Sequence, residues 1–180
     1  MRKLLVLTAI MALLLGALVG CTRTDTSPQP RPPEREEEQD RTETVTLYYA
    51  NSQVQYLLAE ERVITVPEGV TLAYAVVSEL LHEPVTPDAA LLMPAETEVL
   101  GVTVESGLIT VDVNQNFRDN FYGGSSSEAF LIYSIVNTLT ELEGLEDHEV
   151  RFLINGEPFD TIGGHMSAEE HFTRSEELIN

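Results

Sequence analysis

The sequence predicts an α/β protein, an α+β sandwich in which two helices pack on one face of a small sheet. Three observations lead to this class: short β-rich segments with alternating apolar residues, two segments with apolar residues at helical spacing, and their order, β-β-α-β-β-α-β. The chain has 180 residues, of which 43% are hydrophobic. This is enough for one domain with a packed core, together with segments outside that domain.

The N-terminus has the features of a targeting segment. Arg2 and Lys3 precede an uncharged, mostly apolar run, Leu4–Val19, which is shorter than the roughly 20 residues of a membrane-spanning helix. The run leads into Leu-Val-Gly and then Cys21, which resembles the lipobox of lipidated proteins. We expect residues 1–20 to be a signal peptide and Cys21 to carry acyl chains that hold the protein at a membrane surface. A plain secretory signal or a short anchor is the alternative.

Residues 21–43 are predicted to form a disordered tether. After Cys21 this segment holds a group of prolines and then an acidic run, and it has no aliphatic or aromatic residue with which to bury a core. The apolar pattern begins at Thr44. We therefore expect residues 44–180 to form a single domain.

The first half of this domain is predicted to form two strands and a helix. Thr44–Tyr49 alternates as a strand does, and Tyr56–Val66 is predicted to be one strand or two short ones. Thr71–His82 carries apolar residues at helical spacing, with Thr71 as the N-cap and Pro84 beyond its end.

A β-hairpin follows, with Ser106-Gly107 as its turn between Val99–Glu105 and Leu108–Asn114. A two-residue loop fixes the register and places six apolar residues on one face. The predicted pairs are Val104 with Ile109, Val102 with Val111, and Leu100 with Val113.

The second half begins with the strongest helix pattern, Ser126–Leu142, preceded by Ser125-x-x-Glu128, which fits a capping box. Ala129, Ile132, Val136 and Leu139 form its apolar stripe. A strand is then predicted at Val150–Ile154, with a type I′ turn at Asn155-Gly156. Glu157–Thr161 would return as an edge strand, because Pro158 cannot donate to a further neighbour.

Several of these segments together resemble the GerMN domain family. The resemblance covers Thr44 to Arg174. The helix segment Ile132–Glu141 resembles the helix signature of the family, and Ser134–Glu141 is its most specific part. The other matching segments are Thr46–Tyr49, Gly101–Asn114, Val150–Gly156 and Asp160–His165.

This resemblance implies a fold similar to the ring-building motif of sporulation secretion-like rings. It also implies a secreted or lipid-anchored bacterial protein of sporulation or germination, held on the outer face of the cell membrane. The family offers no established catalytic residues to assign to this chain.

Composition excludes several classes of function. The chain has 30 Asp and Glu and a formal net charge of -20, which argues against nucleic acid as a partner, since phosphate backbones need basic residues. A single Cys excludes an intramolecular disulfide framework and a Cys-rich zinc site. No Lys follows Lys3, so Schiff-base and Walker-type chemistry lack their residue.

His165, Glu169 and His171 are the best candidates for metal ligands, because His165 and Glu169 would share one face if the segment were helical. The family resemblance instead places Gly163-Gly164-His165 in a structural turn, so we expect neither a metal nor another cofactor. Gly123–Ser127 lacks the spacing of a nucleophile elbow or a phosphate loop, and a glycine turn before a helix N-cap explains it more simply.

Tyr48 is the candidate contact residue. The strand Thr44–Tyr49 would form an unprotected sheet edge, with Tyr48 on the face opposite Val45, Leu47 and Tyr49. The alternative is that Tyr48 only covers the other face of the sheet.

Two hypotheses for function remain. The first is a non-enzymatic module of the cell envelope that binds protein partners or itself. The second is a module that binds an envelope ligand such as peptidoglycan or a small molecule, and this would need a concave pocket. An envelope hydrolase is a third alternative, although chance pairs of carboxylates are expected among 30 acidic residues.

The charge of the domain leads to a first testable prediction. Residues 44–180 contain 23 acidic residues and 4 Arg, so self-repulsion should destabilise the folded state at low ionic strength. Salt screens this repulsion over a Debye length of about 10 Å at 0.1 M. We expect the melting temperature to rise between about 20 mM and about 1 M NaCl. Equal melting temperatures would count against the repulsion.

Overall fold

The computed structural model describes residues 40–180, and the expected signal peptide, Cys21 and nearly all of the expected tether lie outside them. Its strands are β1 (Arg41–Asn51), β2 (Leu57–Val66), β3 (Ala89–Ala90), β4 (Val99–Glu105), β5 (Leu108–Val113) and β6 (Glu149–Ile154). Its helices are α1 (Leu72–Glu79), α2 (Asn116–Asp119) and α3 (Ser125–Thr140), followed by a 3-10 turn at Glu176–Leu178. No helix within residues 40–180 has both the length and the apolar character that crossing a membrane requires.

The α/β class and the order of the main elements are confirmed, with the short β3 and α2 added. The strands form two three-stranded sheets, ordered β2-β1-β3 and β4-β5-β6, where a single small sheet was expected. The division arises because β6 pairs in parallel with β5 and not with β1. Parallel neighbours need a long crossover connection, and α3 supplies it.

β1 starts earlier than the hydrophobic pattern indicated. It pairs antiparallel with β2 in an unbroken register from Arg41↔Val66 to Ala50↔Leu57. The first three residues of β1 belong to the segment expected to be tether. They carry no apolar side chain, so alternation of apolar residues could not reveal them.

The hairpin β4–β5 confirms two of the three predicted pairs, Val104 with Ile109 and Val102 with Val111. The third is wrong: Val99, not Leu100, lies opposite Val113, because a β-bulge interrupts the ladder between Val99 and Gly101. The bulge turns Leu100 outward, where 48% of its surface is exposed.

The predicted return strand after β6 does not form. Asn155 and Gly156 adopt positive φ angles of 52° and 81°, as the predicted type I′ turn requires, but only one bridge follows, between Ile154 and Glu157. The edge of β6 is instead covered by Phe172, whose N–H and C=O both bond to Val150 at 2.8 Å.

The two long helices begin differently. Thr71 caps α1 as predicted, since its hydroxyl accepts a hydrogen bond of 3.2 Å from the N–H of Tyr74. The predicted capping box at α3 is wrong: Gly124 is the N-cap, and the side chain of Glu128 is bound elsewhere. The predicted apolar stripe of α3 is part of a wider buried surface, because α3 packs on β1 and shares one core with β5 and β6.

Phe172 gives a direct test of how the C-terminal segment contributes to stability. Its ring is 6% exposed and lies edge-on to Phe152 and Tyr133, with centroids 5.8 and 6.2 Å away. Phe172→Ala should lower the free energy of unfolding by about 3–5 kcal/mol, measured by urea denaturation. Tyr122→Ala is the control, because Tyr122 is 99% exposed. Similar losses in both variants would show that Phe172 is not part of the core.

Candidate functional site

A buried carboxylate organises the segment after β6. Glu128, in the first turns of α3, is fully buried, and its Oε1 accepts hydrogen bonds from the N–H groups of Ile162 and Gly163 at 3.1 and 2.9 Å. The Thr161 hydroxyl donates to the same oxygen at 2.7 Å, and the N–H of His165 donates to Oε2 at 2.9 Å. Glu128 therefore holds the turn at 161–165, which we call the glycine turn, against the start of α3.

Hydrogen bonds, and not a basic partner, keep Glu128 ionised. No Arg or His side chain among residues 40–180 forms an ion pair with it. Burial raises the pKa of this carboxyl, but the hydrogen bonds from Gly163, Thr161, His165 and Ile162 outweigh burial, and the net pKa lies below that of an ordinary glutamate. The N-terminal end of α3 adds a favourable dipole.

The glycines of this turn are needed for close approach. A Cβ on Gly163 would lie 2.4 Å from Cε1 of Phe121 and 3.1 Å from Oε2 of Glu128. Gly164 has a φ of +91°, which side-chain-bearing residues rarely adopt. The expectation of a structural turn at Gly163-Gly164-His165 agrees with this geometry.

An open cleft of about 550 Å³ lies between the glycine turn and the loop before α3. Tyr122 stands at its rim with 99% of its surface exposed, beside the half-buried Phe121. The other lining residues are Gly123, Gly124, Ile162 and Gly163. Gly123 packs against α3, because a Cβ there would lie 2.4 Å from Cβ of Ser127. A glycine turn before a helix therefore accounts for Gly123–Ser127.

Tyr48 does not lie on an open edge, so its interpretation as an exposed contact residue is wrong. β1 is the central strand of its sheet, and Tyr48 is 5% exposed. Its N–H donates to the Thr138 hydroxyl at 2.9 Å, and its own hydroxyl donates to Oε2 of Glu141 at 2.9 Å. The alternative, that Tyr48 covers the second face of the sheet, is confirmed.

Arg174 completes the network around Tyr48. Its guanidinium lies 5.5 Å from the centre of the Tyr48 ring and pairs with Glu141 at 2.7 Å. Burial raises the pKa of Tyr48, and contact with Arg174 only partly opposes this. The phenol thus stays protonated and remains a donor to Glu141 at neutral pH.

Asn137 fixes the chain next to Arg174. Its side-chain amide donates to the carbonyl of Ser175 at 2.9 Å and accepts from the N–H of Ser175 at 3.0 Å. Together with Thr138, it explains why polar residues occur on the buried surface of α3: they bind backbone groups of neighbouring segments.

The three metal candidates are not brought together. Residues 164–171 contain no helix, so His165 and Glu169 do not share a helical face. His165 contributes its backbone N–H to Glu128, and His171 pairs through Nδ1 with Glu149 at 2.9 Å. Within residues 40–180, no three His, Cys, Asp or Glu side chains converge as metal ligands would.

Sequence reasoning missed the roles of three charged residues: Glu128, Arg174 and the buried Glu60, whose Oε2 accepts from the N–H groups of Val85 and Thr86. A usable signal existed for two of them. Glu128 lies four residues before Ile132, in line with the apolar stripe of α3. Glu60 lies four residues before Ile64, which places both on the core face of β2. A charged residue in a core position indicates burial with compensating hydrogen bonds. No local pattern indicated Arg174.

Glu128 allows a test that depends on pH. Its lowered pKa means that ionised Glu128 stabilises the fold above the pKa of an unfolded glutamate, about 4.3, and that this stabilisation is lost as the pH falls through the folded-state pKa. Glu128→Gln replaces one acceptor oxygen by an amide N–H₂ group, which is itself a donor and cannot accept the hydrogen bonds of the turn. It should cost about 1–3 kcal/mol at pH 7 in chemical denaturation.

The difference between wild type and Glu128→Gln should shrink in acid, since both side chains are then neutral. Glu61→Gln is the matched control, because Glu61 is exposed on β2. A difference that stays constant from pH 7 down to acid unfolding would contradict the role of the ionised carboxylate.

Comparison with known proteins gives a consistent assignment. Residues 46–160 match the family described as Germane, sporulation and spore germination, and this segment is more than half of the chain. No curated protein sequence is similar enough to count as a match.

Solved structures with a similar fold include two of one sporulation protein. The tandem GerMN domains of the sporulation protein GerM from Bacillus subtilis align with a TM-score of 0.55 and 20% identity, over 71% of this chain and 45% of that one. The first GerMN domain of that protein aligns with a TM-score of 0.53 and 18% identity, over 75% and 98%. A candidate lipoprotein from Clostridium perfringens aligns with a TM-score of 0.49 and 16% identity, over 75% and 88%.

The two GerMN structures share the fold with this chain, and the match of residues 46–160 supplies the family. The chain belongs to the Germane family, and its described part is a GerMN-type domain.

Proposed function

We propose that this protein is a lipid-anchored, extracytoplasmic and non-enzymatic module that acts in sporulation or germination by binding proteins of the cell envelope. The family match over residues 46–160 carries the proposal, because that family is described by sporulation and spore germination and not by a reaction. The expected lipobox at Cys21 would place the domain outside the membrane.

The way in which the domain uses its polar groups supports contact and not chemistry. The carboxylate of Glu128 is occupied by four internal donors, and Tyr48, Glu141 and Arg174 bind one another. Catalytic groups need free functional atoms that face a bound substrate. These buried clusters instead hold loops and the C-terminal segment in place.

Binding of an envelope ligand is the second candidate, and one observation favours it. The cleft beside Tyr122 is open and combines an exposed aromatic ring with exposed backbone. A sugar or a small ligand could stack on such a ring. Protein binding remains our preferred function, because no polar side chain lines this cleft apart from the Tyr122 hydroxyl.

Lipidation is the first part of the proposal to be tested. Cys21→Ala should release the protein from the membrane fraction or leave it unprocessed, since two or more acyl chains are needed for stable anchoring. Mass spectrometry of membrane-derived wild-type protein should find Cys21 acylated. Finding Cys21 unmodified would contradict the proposed lipid anchor.

The interaction itself is tested by cross-linking in native membranes. The wild-type protein should form defined adducts with envelope proteins, and Cys21→Ala should lose them while its domain remains folded. Binding to purified peptidoglycan sacculi is measured in parallel with Tyr122→Ala as the comparison. Sacculus binding that needs Tyr122, without protein adducts, would replace the first proposal by the second.

A further inference from the structure

The two sheets differ in how their outer strands are protected. β3 is only two residues long, and the outer side of β6 is bonded to Phe172. β2 is bonded at its first residue, where the carbonyl of Leu57 accepts from the N–H of Asn180, and it carries three charged residues at its centre. Short strands, covering segments and charges are the usual ways of protecting a sheet edge.

β4 has none of these protections along most of its length. It pairs only with β5; α1 packs against this strand, and the hydrogen bond between them runs from the Tyr74 hydroxyl to the carbonyl of Val99 at 3.1 Å, at the first residue of β4. Within the described part of the chain, no hydrogen bond reaches residues 100–105 from the outer side. Leu100 and Val104 are 48% and 42% exposed on this strand.

The register identifies the backbone groups that face outward. Ser106 and Gly107 form a two-residue turn with φ angles of 51° and 84°, so the flanking pair Glu105–Leu108 is the hydrogen-bonded one. Hydrogen-bonded and non-hydrogen-bonded pairs alternate along an antiparallel ladder. The N–H and C=O groups of Val102 and Val104 therefore point away from β5, towards the free side.

Acidic side chains stand at both ends of this edge. Glu98 directly precedes β4 and Glu105 is its last residue, and both are exposed. The whole domain is strongly negative, with 23 acidic residues and 4 Arg in residues 44–180. An extended segment that pairs with β4 will bind more tightly if it carries basic residues at its ends.

We infer that the outer edge of β4 is a binding site for an extended segment of a partner protein, with apolar residues at its centre and Lys or Arg at its ends. The segment adds a fourth strand to the β4-β5-β6 sheet, with backbone bonds to Val102 and Val104 and apolar contact with Leu100 and Val104. This inference deepens the proposed interaction function and rests on it.

Charge argues against two other occupants. A second copy that pairs antiparallel through β4 would bring Glu105 of one copy next to Glu98 of the other, and two strongly negative domains would repel each other. Residues 22–40, which precede β1, carry the run Glu36-Glu37-Glu38 and have no aliphatic residue, so they offer neither the charge nor the apolar contact.

The test uses the purified full-length chain and two synthetic peptides. Both have six central residues that alternate Val and Thr; one has Lys residues at both ends and the other has Glu. The Lys peptide should bind, and added NaCl should weaken it because exposed charges are screened. NMR should show slowed amide exchange at Val102 and Val104 on binding. The Glu peptide should not bind.

Two sets of variants make the result specific. Val104→Pro removes the outward N–H without breaking the ladder to β5, and it should weaken binding of the Lys peptide by about tenfold. Val104→Thr is the control, because it keeps the N–H. It should bind the Lys peptide nearly as well as the wild type does. If Val104→Pro fails to fold, the double reversal Glu98→Lys and Glu105→Lys tests the same site, because it should weaken binding of the Lys peptide and remove the advantage of that peptide over the Glu peptide.

Absence of Lys-peptide binding, or equal binding by both Val104 variants, would overturn the inference. Peptide-independent dimerisation that protects the Val104 amide would assign the edge to a second copy instead, and would overturn it too. Cross-linked envelope partners that persist when the peptide does not bind would leave the proposed interaction function intact and remove only this edge as its site.

Discussion

The structure depends on one buried anion, the carboxylate of Glu128. Glu128 sits in the first turns of the crossover helix α3 and holds the glycine turn at 161–165 by four hydrogen bonds. An unpaired buried charge would be strongly destabilising, so the folded state needs the contact between the turn and the helix. After this turn the chain returns to the sheet, where Phe172 covers the edge of β6 by backbone hydrogen bonds to Val150. A single side chain thereby connects helix, turn and sheet edge.

The same solution appears at Glu60. Its Oε2 accepts from the N–H groups of Val85 and Thr86, both at 2.8 Å, and its Oε1 pairs with Arg62. Burial raises the pKa of Glu60, but the hydrogen bonds from Thr86, Arg62 and Val85 outweigh it and the net pKa is lowered. In both cases an acidic residue in a core position fixes a loop through the backbone N–H groups of that loop. In a chain with 30 acidic and 10 basic residues, backbone N–H groups supplement the one cation at Glu60 and take the place of a cation at Glu128.

The sequence predicted elements more reliably than their assembly. α1 with its cap, the turn at Ser106-Gly107 and two pairs of the β4–β5 ladder follow from local patterns, because period, capping and turn chemistry are properties of short segments. The bulge at Leu100, the parallel pairing of β6 and the missing return strand depend on contacts between distant segments. Tyr48 illustrates the limit: alternation placed it on the correct face of β1, but only Thr138, Glu141 and Arg174, about 90 to 126 residues away in sequence, show that this face is covered.

The acidity of the domain therefore has two separate consequences. Inside, the carboxylates of Glu60 and Glu128 are bound to backbone N–H groups. Their charges stabilise loop positions and are not available to a partner. Outside, the side chains of Glu98 and Glu105 form no hydrogen bond or ion pair within residues 40–180 and stand at the ends of the unprotected strand β4. Long-range repulsion that discourages self-pairing of an open edge leaves that edge available to a partner of opposite charge. An acidic domain can thus keep a sheet edge unpaired without aggregating, provided that its partner is basic.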